Sequence, residues 1–352
     1  MSAVIPLDKI EWLRDRHLDP NGRVFGFDGE IYRAIYPGQA AHIQSLFQRG
    51  IVKDLVAQGL LIPTELTSLS VEGYALVLKH ETLAYRTKPF EWPRGLLRDA
   101  ALGVLDLNLA LLKHGLMTVD THAGNLGQVK GCRPVWTDFG SIVPLEKPYP
   151  AEQFRRYFTN PLRLLERAPG ASQLVRSVLR DGGLDSATLN ALQHPRWSPL
   201  RAVQPLREKV LQRLKNDRNG SVQDRLVRER ELHQERERIE EIELRLPETL
   251  WGAYHHSELN VFPEDYTSSL QDSRRAAIFG VIDRLNPRRV IDLAANAGFY
   301  SFYAARKGAQ VLGLDFDEPA VERFYQAART HAESLSVTCA CVDAMDPSPV
   351  PR

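Results

Sequence analysis

The sequence predicts two domains of different class: an α+β domain over residues 1–200 and the leading part of an α/β domain over residues 251–352, joined by a charged helical linker over residues 201–250. Three observations predict it. The first part runs strands first and helices afterwards, the order of an α+β domain. The middle, from Pro205 to Leu246, is dense in Arg and Glu around Asn219-Gly220. The last part separates three β-rich apolar runs (RRVIDLA, QVLGLD and VTCACVD) by helical stretches, the pattern of a parallel sheet. At roughly 150 residues per domain, 352 residues leave room for both.

Arg23 to Ile35 (RVFGFDGEIYRAI) alternates apolar and polar residues around Asp28-Gly29, a dipeptide that favours a two-residue hairpin turn. The stretch 40–61 carries Ile43, Leu46, Phe47, Ile51, Leu55 and Val56 at helical spacing before Ile62-Pro63. Tyr74 to Lys79 reads as a buried strand. Pro89 and Pro93 precede a long helix, Gly95 to His114, whose inner stripe is Leu97, Ala101, Val104, Leu105, Leu109 and Leu112, with Gly115 placed to stop it. Short segments joined by Gly-containing turns fill Met117 to Ser141, and Phe154 to about Leu192 is helical with an interruption at Gly182-Gly183. In the linker Glu interleaves with Arg throughout, which reads as a solvated helix laced with ion pairs and not as a nucleic-acid arm. Leu226, Leu232, Ile239, Ile242 and Leu246 form a narrow stripe on its second half, suited to spacing or docking. Ser273 to Leu285 is a further amphipathic helix.

Apolar residues make up 43% of the chain, enough for ordinary cores, and 45 Lys and Arg nearly balance 44 Asp and Glu. No global field draws the chain to nucleic acid or to an anionic membrane. No window reaches the roughly 20 apolar residues of a membrane span, and MSAVIPLDKIEWLRD lacks a basic-then-apolar signal, so a cytoplasmic location is expected. Cys132, Cys339 and Cys341 are too few for a disulfide framework and lack the C-x-x-C spacing of a zinc site. His255-His256 are adjacent and point apart, as a surface pair does. Trp92, Trp136 and Trp251 read as core or interdomain anchors. No Ser-His-Asp or Cys-His arrangement has motif context, so acyl transfer is not indicated.

The strand Val290-Ile291-Asp292-Leu293 runs into Ala294-Ala295-Asn296-Ala297-Gly298, a turn of small residues that feeds a helix. Tiny side chains let the backbone approach a ligand, and the helix start presents free amides. Asp315 closes the second strand, where a carboxylate can grip two ribose hydroxyls, and Asp343 follows the third. In an open α/β sheet such groups gather at the carboxyl edge, the usual ligand site. A dinucleotide site would want G-x-G-x-x-G, of which only Gly298 is present. DLAANAGFYS followed by LGLDFDEPAVERF resembles the first motif and the following acid of class I S-adenosylmethionine-dependent methyltransferases. The resemblance implies a Rossmann-like fold and S-adenosylmethionine as cofactor, held by Asp292, Ala294, Asn296, Gly298 and Asp315, with the adenine near Asp343. Ala294 stands where that family has its first glycine.

Asp120-Thr121-His122-Ala123-Gly124-Asn125, with Asp138-Phe139-Gly140 thirteen residues beyond Asn125, resembles the catalytic and metal loops of protein-kinase-like phosphotransferases. That resemblance implies ATP with magnesium, Asp120 beside the acceptor hydroxyl, and Asn125 and Asp138 as metal ligands. Against an active kinase, no glycine-rich loop precedes the first strands. Arg33 holds the place of the phosphate-binding lysine, with only Asp54 as an acidic candidate on the next helix. The region therefore reads first as a kinase-like scaffold for binding or positioning. Residues 78–145, from LKHETLAYR through PFEWPRGLL to SIVPL, are similar to the N-terminal region of a bacterial family of large methyltransferases, some described as nodulation host-specificity proteins. In that family a linker, a Trp-containing stretch and a class I methyltransferase domain follow, the order found here through Trp251 and Asp292.

The expected activity is methyl transfer to an oxygen or nitrogen of an unidentified acceptor, a small molecule or a glycan- or lipid-type compound. The alternatives are an ATP- and magnesium-dependent phosphotransferase centred on Asp120 and Asp138, or a scaffold without chemistry. Only about three strands fit the 63 residues from Val290 to Arg352, and an open sheet commonly has five or more. A half sheet exposes an unpaired edge and an apolar face, which predicts a truncated, split or partner-completed methyltransferase domain.

Overall fold

A computed structural model describes residues 3–13, 21–146, 149–193, 222–253, 262 and 266–345. His255-His256 and the first half of the charged segment lie outside the described residues.

β1 (Glu11–Trp12) pairs with β2 (Gly22–Phe27), which turns into β3 (Glu30–Ile35) through Asp28 and Gly29. Both turn residues are left-handed (φ 53° and 77°), as a type I′ hairpin turn requires. The stretch 40–61 is two helices. α1 (Ala40–Gln48) and α2 (Ile51–Ala57) are separated by Gly50, whose φ of 73° cannot continue a right-handed helix. The apolar spacing runs across the break because Ile43, Leu46, Ile51 and Leu55 all enter one core. β4 (Thr64–Leu66) and β5 (Leu76–His80) complete an antiparallel sheet in the order β1-β2-β3-β5-β4.

α3 (Arg94–Leu112) runs through the main hydrophobic core, which also takes in residues of the C-terminal strands and helices. Leu97, Ala101, Val104, Leu105 and Leu112 are buried as the stripe requires, and Leu109 is partly buried. Leu96, Ala100, Leu107 and Leu111 are buried as well, so the helix needs cover on more than one side. Gly115 (φ 72°) follows its end. β6 (Leu116–Thr118), β7 (Leu126–Val129), β8 (Arg133–Trp136) and β9 (Ile142–Pro144) make two short antiparallel ribbons, β6 with β9 and β7 with β8. A helical run from Ala151 passes through a π turn at Arg155–Thr159 into α4 (Asn160–Arg167), then α5 (Ser172–Arg180) and α6 (Ser186–Gln193).

The described part of the charged segment carries ion pairs within its helix, Arg236 to Glu240 and Arg238 to Glu235, and also docks on the core. α7 (Val222–Glu240) packs on α3, with Leu232, Ile239 and Ile242 buried and Leu226 and Leu246 exposed. Arg236 Nε donates to Asp106 at 2.8 Å, and buried Glu235 accepts from Thr159 Oγ1 at 2.6 Å. The stripe is the cover that α3 needs on its second side.

α8 (Leu250–Ala253) and α9 (Ser273–Leu285) lead into β10 (Arg289–Leu293), α10 (Phe299–Arg306), β11 (Gln310–Asp315), α11 (Glu318–His331) and β12 (Val337–Cys341). The three strands are parallel in the order β10-β11-β12. One face of β10 is open: Ile291 and Leu293 are each 59% exposed, and their register partners Leu312 and Leu314 are half-buried. The β12 side is covered, so the expected exposed apolar face is found on β10 and not on β12. The Gln128 side chain pairs with the Cys339 backbone, donating Nε2–H to its carbonyl (2.9 Å) and accepting its N–H (3.3 Å). Gly131 N–H also donates to the Leu335 carbonyl at 2.9 Å. All three cysteines are buried and free. No helix among the described residues is long and apolar enough to cross a membrane.

Candidate functional site

The turn after β10 has left-handed backbone at every second residue: Ala294 (φ 58°), Asn296 (φ 49°) and Gly298 (φ 90°). Asn tolerates this region and Gly enters it freely, whereas Ala carries a cost of roughly 1–2 kcal/mol. Such strain is often stored at functional loops. Gly298 is required twice over, because a Cβ there would lie 2.9 Å from the Phe324 ring, which also fills the space beside Gly313. The ring of α11 thereby keys the turn to β11.

Asp315 is buried at the end of β11, and its carboxylate ties the turn to the next helix. Asn296 N–H donates to Oδ2 and Asp317 N–H donates to Oδ1, both at 2.9 Å. Each oxygen keeps one further acceptor position. The Asn296 side chain closes the turn, donating Nδ2–H to the Trp251 carbonyl (3.0 Å) while its Oδ1 accepts Ala297 N–H (2.8 Å). Asp292 accepts from Ser301 Oγ at 2.7 Å. Burial pushes the Asp292 carboxyl above its ordinary value; the Ser301 bond opposes this and the nearby Asp315 charge adds to it. Asp343 is exposed beyond β12 and accepts Met345 N–H at 2.9 Å, while Val342 N–H donates to the Asp315 carbonyl. Asp292, Ala294, Asn296, Gly298 and Asp315 therefore form one connected cluster at the carboxyl edge of the sheet, and Asp343 stands on the neighbouring strand's exit.

Sequence reasoning missed Asp317, Phe324 and Ser301. Asp317 caps α11 by accepting Ala320 N–H at 3.0 Å, ahead of Glu318-Pro319. Asp before Glu-Pro is a readable helix start. Phe324 and Ser301 carry no local signal, since their roles depend on packing.

In the N-terminal part of the chain, Arg33 of β3 reaches Asp138, with Nη2 to Oδ1 at 3.2 Å and the two side chains 2% and 15% exposed. Asp54 is exposed on α2. A cavity of about 210 Å³ opens beside the Arg33 pair, lined by Val24, Ile31, Arg33, His80, Thr137 and Asp138 among others. His80 bonds Thr64 Oγ1 at 2.9 Å, and its pKa is held down to about 3 by burial and then by the Arg33 charge. The two expected loops are joined: Thr137 donates its N–H and its Oγ1–H to the Asn125 carbonyl, each at 2.8 Å. Asn125 Nδ2 donates to the Asp120 carbonyl at 3.3 Å, and Asp120 Oδ1 accepts His122 N–H at 3.1 Å. Residues 14–20, where a phosphate loop would be sought, lie outside the described residues. Among the described residues, no group of three or more His, Cys, Asp and Glu is arranged to hold a metal ion.

No family model matches the chain. Along 94% of its length it is similar to a bacterial nodulation protein. That relative is the nodulation protein NoeA of Rhizobium meliloti, 27% identical over 360 aligned positions that cover 71% of its own length.

Proposed function

We propose that the chain is an S-adenosylmethionine-dependent methyltransferase of the class I type, working in the cytoplasm, whose cofactor loop is Asp292 to Gly298 with Asp315. The observation that carries this reading is the alternation of left-handed positions at 294, 296 and 298 against a buried carboxylate held by the Asn296 amide. Parallel strands in the order β10-β11-β12 put that loop where open α/β sheets take their ligands. The residues fit the group: small side chains line the turn, and Asp315 has one acceptor position left on each oxygen for a pair of ribose hydroxyls. When bound, the cofactor supplies a sulfonium methyl that an acceptor oxygen or nitrogen takes by in-line displacement. The chain's own contribution is positioning. Asp315 orients the ribose, Ser301 and Asp292 hold the start of α10 against β10, and the turn brings backbone amides close to the ligand. Asp343 would lie by the adenine. The open face of Ile291 and Leu293 is where a partner chain completing the sheet would cover apolar surface.

For the first domain, the Arg33 to Asp138 pair favours a kinase-like scaffold over an ATP-dependent phosphotransferase. The guanidinium neutralises the carboxylate that a magnesium ion would need, in a buried setting where separating the two is costly. Calorimetric titration separates these readings. Heat with S-adenosylmethionine that disappears in Asp315→Ala, and no magnesium-dependent heat with ATP, is the expected result. Magnesium-dependent ATP binding lost in Asp138→Ala would install the phosphotransferase reading, and silence with both ligands would leave a scaffold without chemistry.

A further inference from the structure

We propose that the first domain is the holder of the cofactor loop and that Arg94 is a positioning residue for Asp315; this rests on the cofactor reading above. Arg94 opens α3 and is 1% exposed. Its guanidinium forks onto Glu318, Nε to Oε1 at 2.9 Å and Nη2 to Oε2 at 2.8 Å, and its backbone N–H donates to Oε1 at 3.1 Å. Nη2 also donates to the Pro169 carbonyl (2.9 Å) and Ser172 Oγ (3.0 Å), and Nη1 to the Arg245 carbonyl. The next residue, Gly95, donates its N–H to Glu322 Oε2 at 2.8 Å. A Cβ on Gly95 would come 2.1 Å from that carboxylate, so a side chain there would push the Glu322 carboxylate aside.

Glu318 and Glu322 lie on the first two turns of α11, the helix that leaves the cofactor acid. Glu318 follows Asp317, whose amide holds Asp315 Oδ1, and Asp315 Oδ2 holds the Asn296 amide of the turn. An unbroken set of short bonds therefore runs from α3 to the cofactor loop. On the other side of β11, Gln128 fixes the backbone of β12. Stability alone does not explain a buried ion pair here, because apolar residues of equal volume would join two surfaces at least as well. What a bidentate fork adds is direction: it holds the start of α11 at one place and one angle. A shift of that helix start moves the amide that aims the Asp315 carboxylate. Lysine in place of Arg94 keeps the charge and loses the fork.

The test uses the full chain and S-adenosylhomocysteine as probe. Coupling between two sites is reciprocal, so a ligand that orders Asp315 must also steady the bonds at Arg94 and Gly95. Hydrogen exchange reads those two amides directly, since each donates to an α11 carboxylate. Slower exchange at both on saturation is expected; unchanged exchange with ligand bound overturns the inference. In parallel, Arg94→Lys should weaken the ligand about tenfold, in the usual range of site-to-site coupling. Tyr325→Phe removes a bond to Asp99 (2.5 Å) farther along α11 at the same interface and should leave affinity unchanged. Equal losses in both variants, or none in Arg94→Lys, show a merely structural contact and overturn the inference while leaving the cofactor reading intact. An unmodified chain that binds no ligand refutes the cofactor reading, and the positioning role falls with it.

Discussion

Glycine in place of Ala294 should make the chain more stable. Ala294 has a φ of 58°, and the left-handed region costs an L-residue roughly 1–2 kcal/mol. Glycine escapes that cost but loses about 0.5–1 kcal/mol through the greater freedom of the unfolded chain. The expected net gain is about 0.7 kcal/mol, within a range of about 0 to 1.5 kcal/mol. Its neighbour Ala295 supplies the control, being 9% exposed and outside the left-handed region. Ala295→Gly relieves no strain and gives up a buried methyl, so it should destabilise by about 1 kcal/mol or more. Urea unfolding followed by far-ultraviolet circular dichroism compares the three chains, with midpoints read at a common slope. Opposite signs for the two substitutions are expected. Equal destabilisation by both would refute the left-handed assignment of the turn, and with it the argument that its strain is stored for a ligand.

Gly298→Ala should cost about 2 kcal/mol or more, since it adds left-handed strain at φ 90° to a Cβ 2.9 Å from Phe324; Phe324→Leu in the same chain should recover part of it in the same unfolding assay. Glu322 is held above its ordinary value of 4.5, first by burial, with the nearby Glu318 charge also raising it. Its native state prefers the proton, so its contribution is full below 4.5 and is lost as pH rises through the raised value. Glu322→Gln removes this pH dependence but turns one of two accepting oxygens, which take the Gly95 amide and Gln326 Nε2–H, into a donor. The stability difference between the two chains should therefore shift toward the variant from pH 4 to pH 8, and melting curves that move in parallel for both chains would contradict this. His80 runs the other way: its native pKa of about 3 lies below the ordinary 6.5, so stability is full above 6.5 and is lost as pH falls toward 3. That window is worth on the order of 4 to 5 kcal/mol, and the acid limb of the stability curve should flatten in His80→Gln.

Local chemistry was legible where it is local. Asp28-Gly29 announces its turn, the α3 stripe its helix, and the three apolar runs their strands, because each depends on residues a few positions apart. Gly50 breaks a helix whose apolar spacing continues unchanged, so periodicity alone hides it. The stripe of α7 could be read, but its partner could not, since nothing local says that α3 has a second side to cover. The cluster around Asp315 was legible from strand ends and small residues. The contacts that hold it were not: Arg94 meets Glu318 across 224 residues and Gln128 meets Cys339 across 211. An isolated Arg before a Leu-rich helix and an isolated Gln in a short strand carry no signal of such partners.

The most direct test of the cofactor reading is a structure of the full chain grown with S-adenosylhomocysteine. The expected result is ligand density over the turn from Ala294 to Gly298, with both ribose hydroxyls on the Asp315 carboxylate. Density confined to the Arg33 and Asp138 cleft, or an empty turn at saturating ligand, would contradict it.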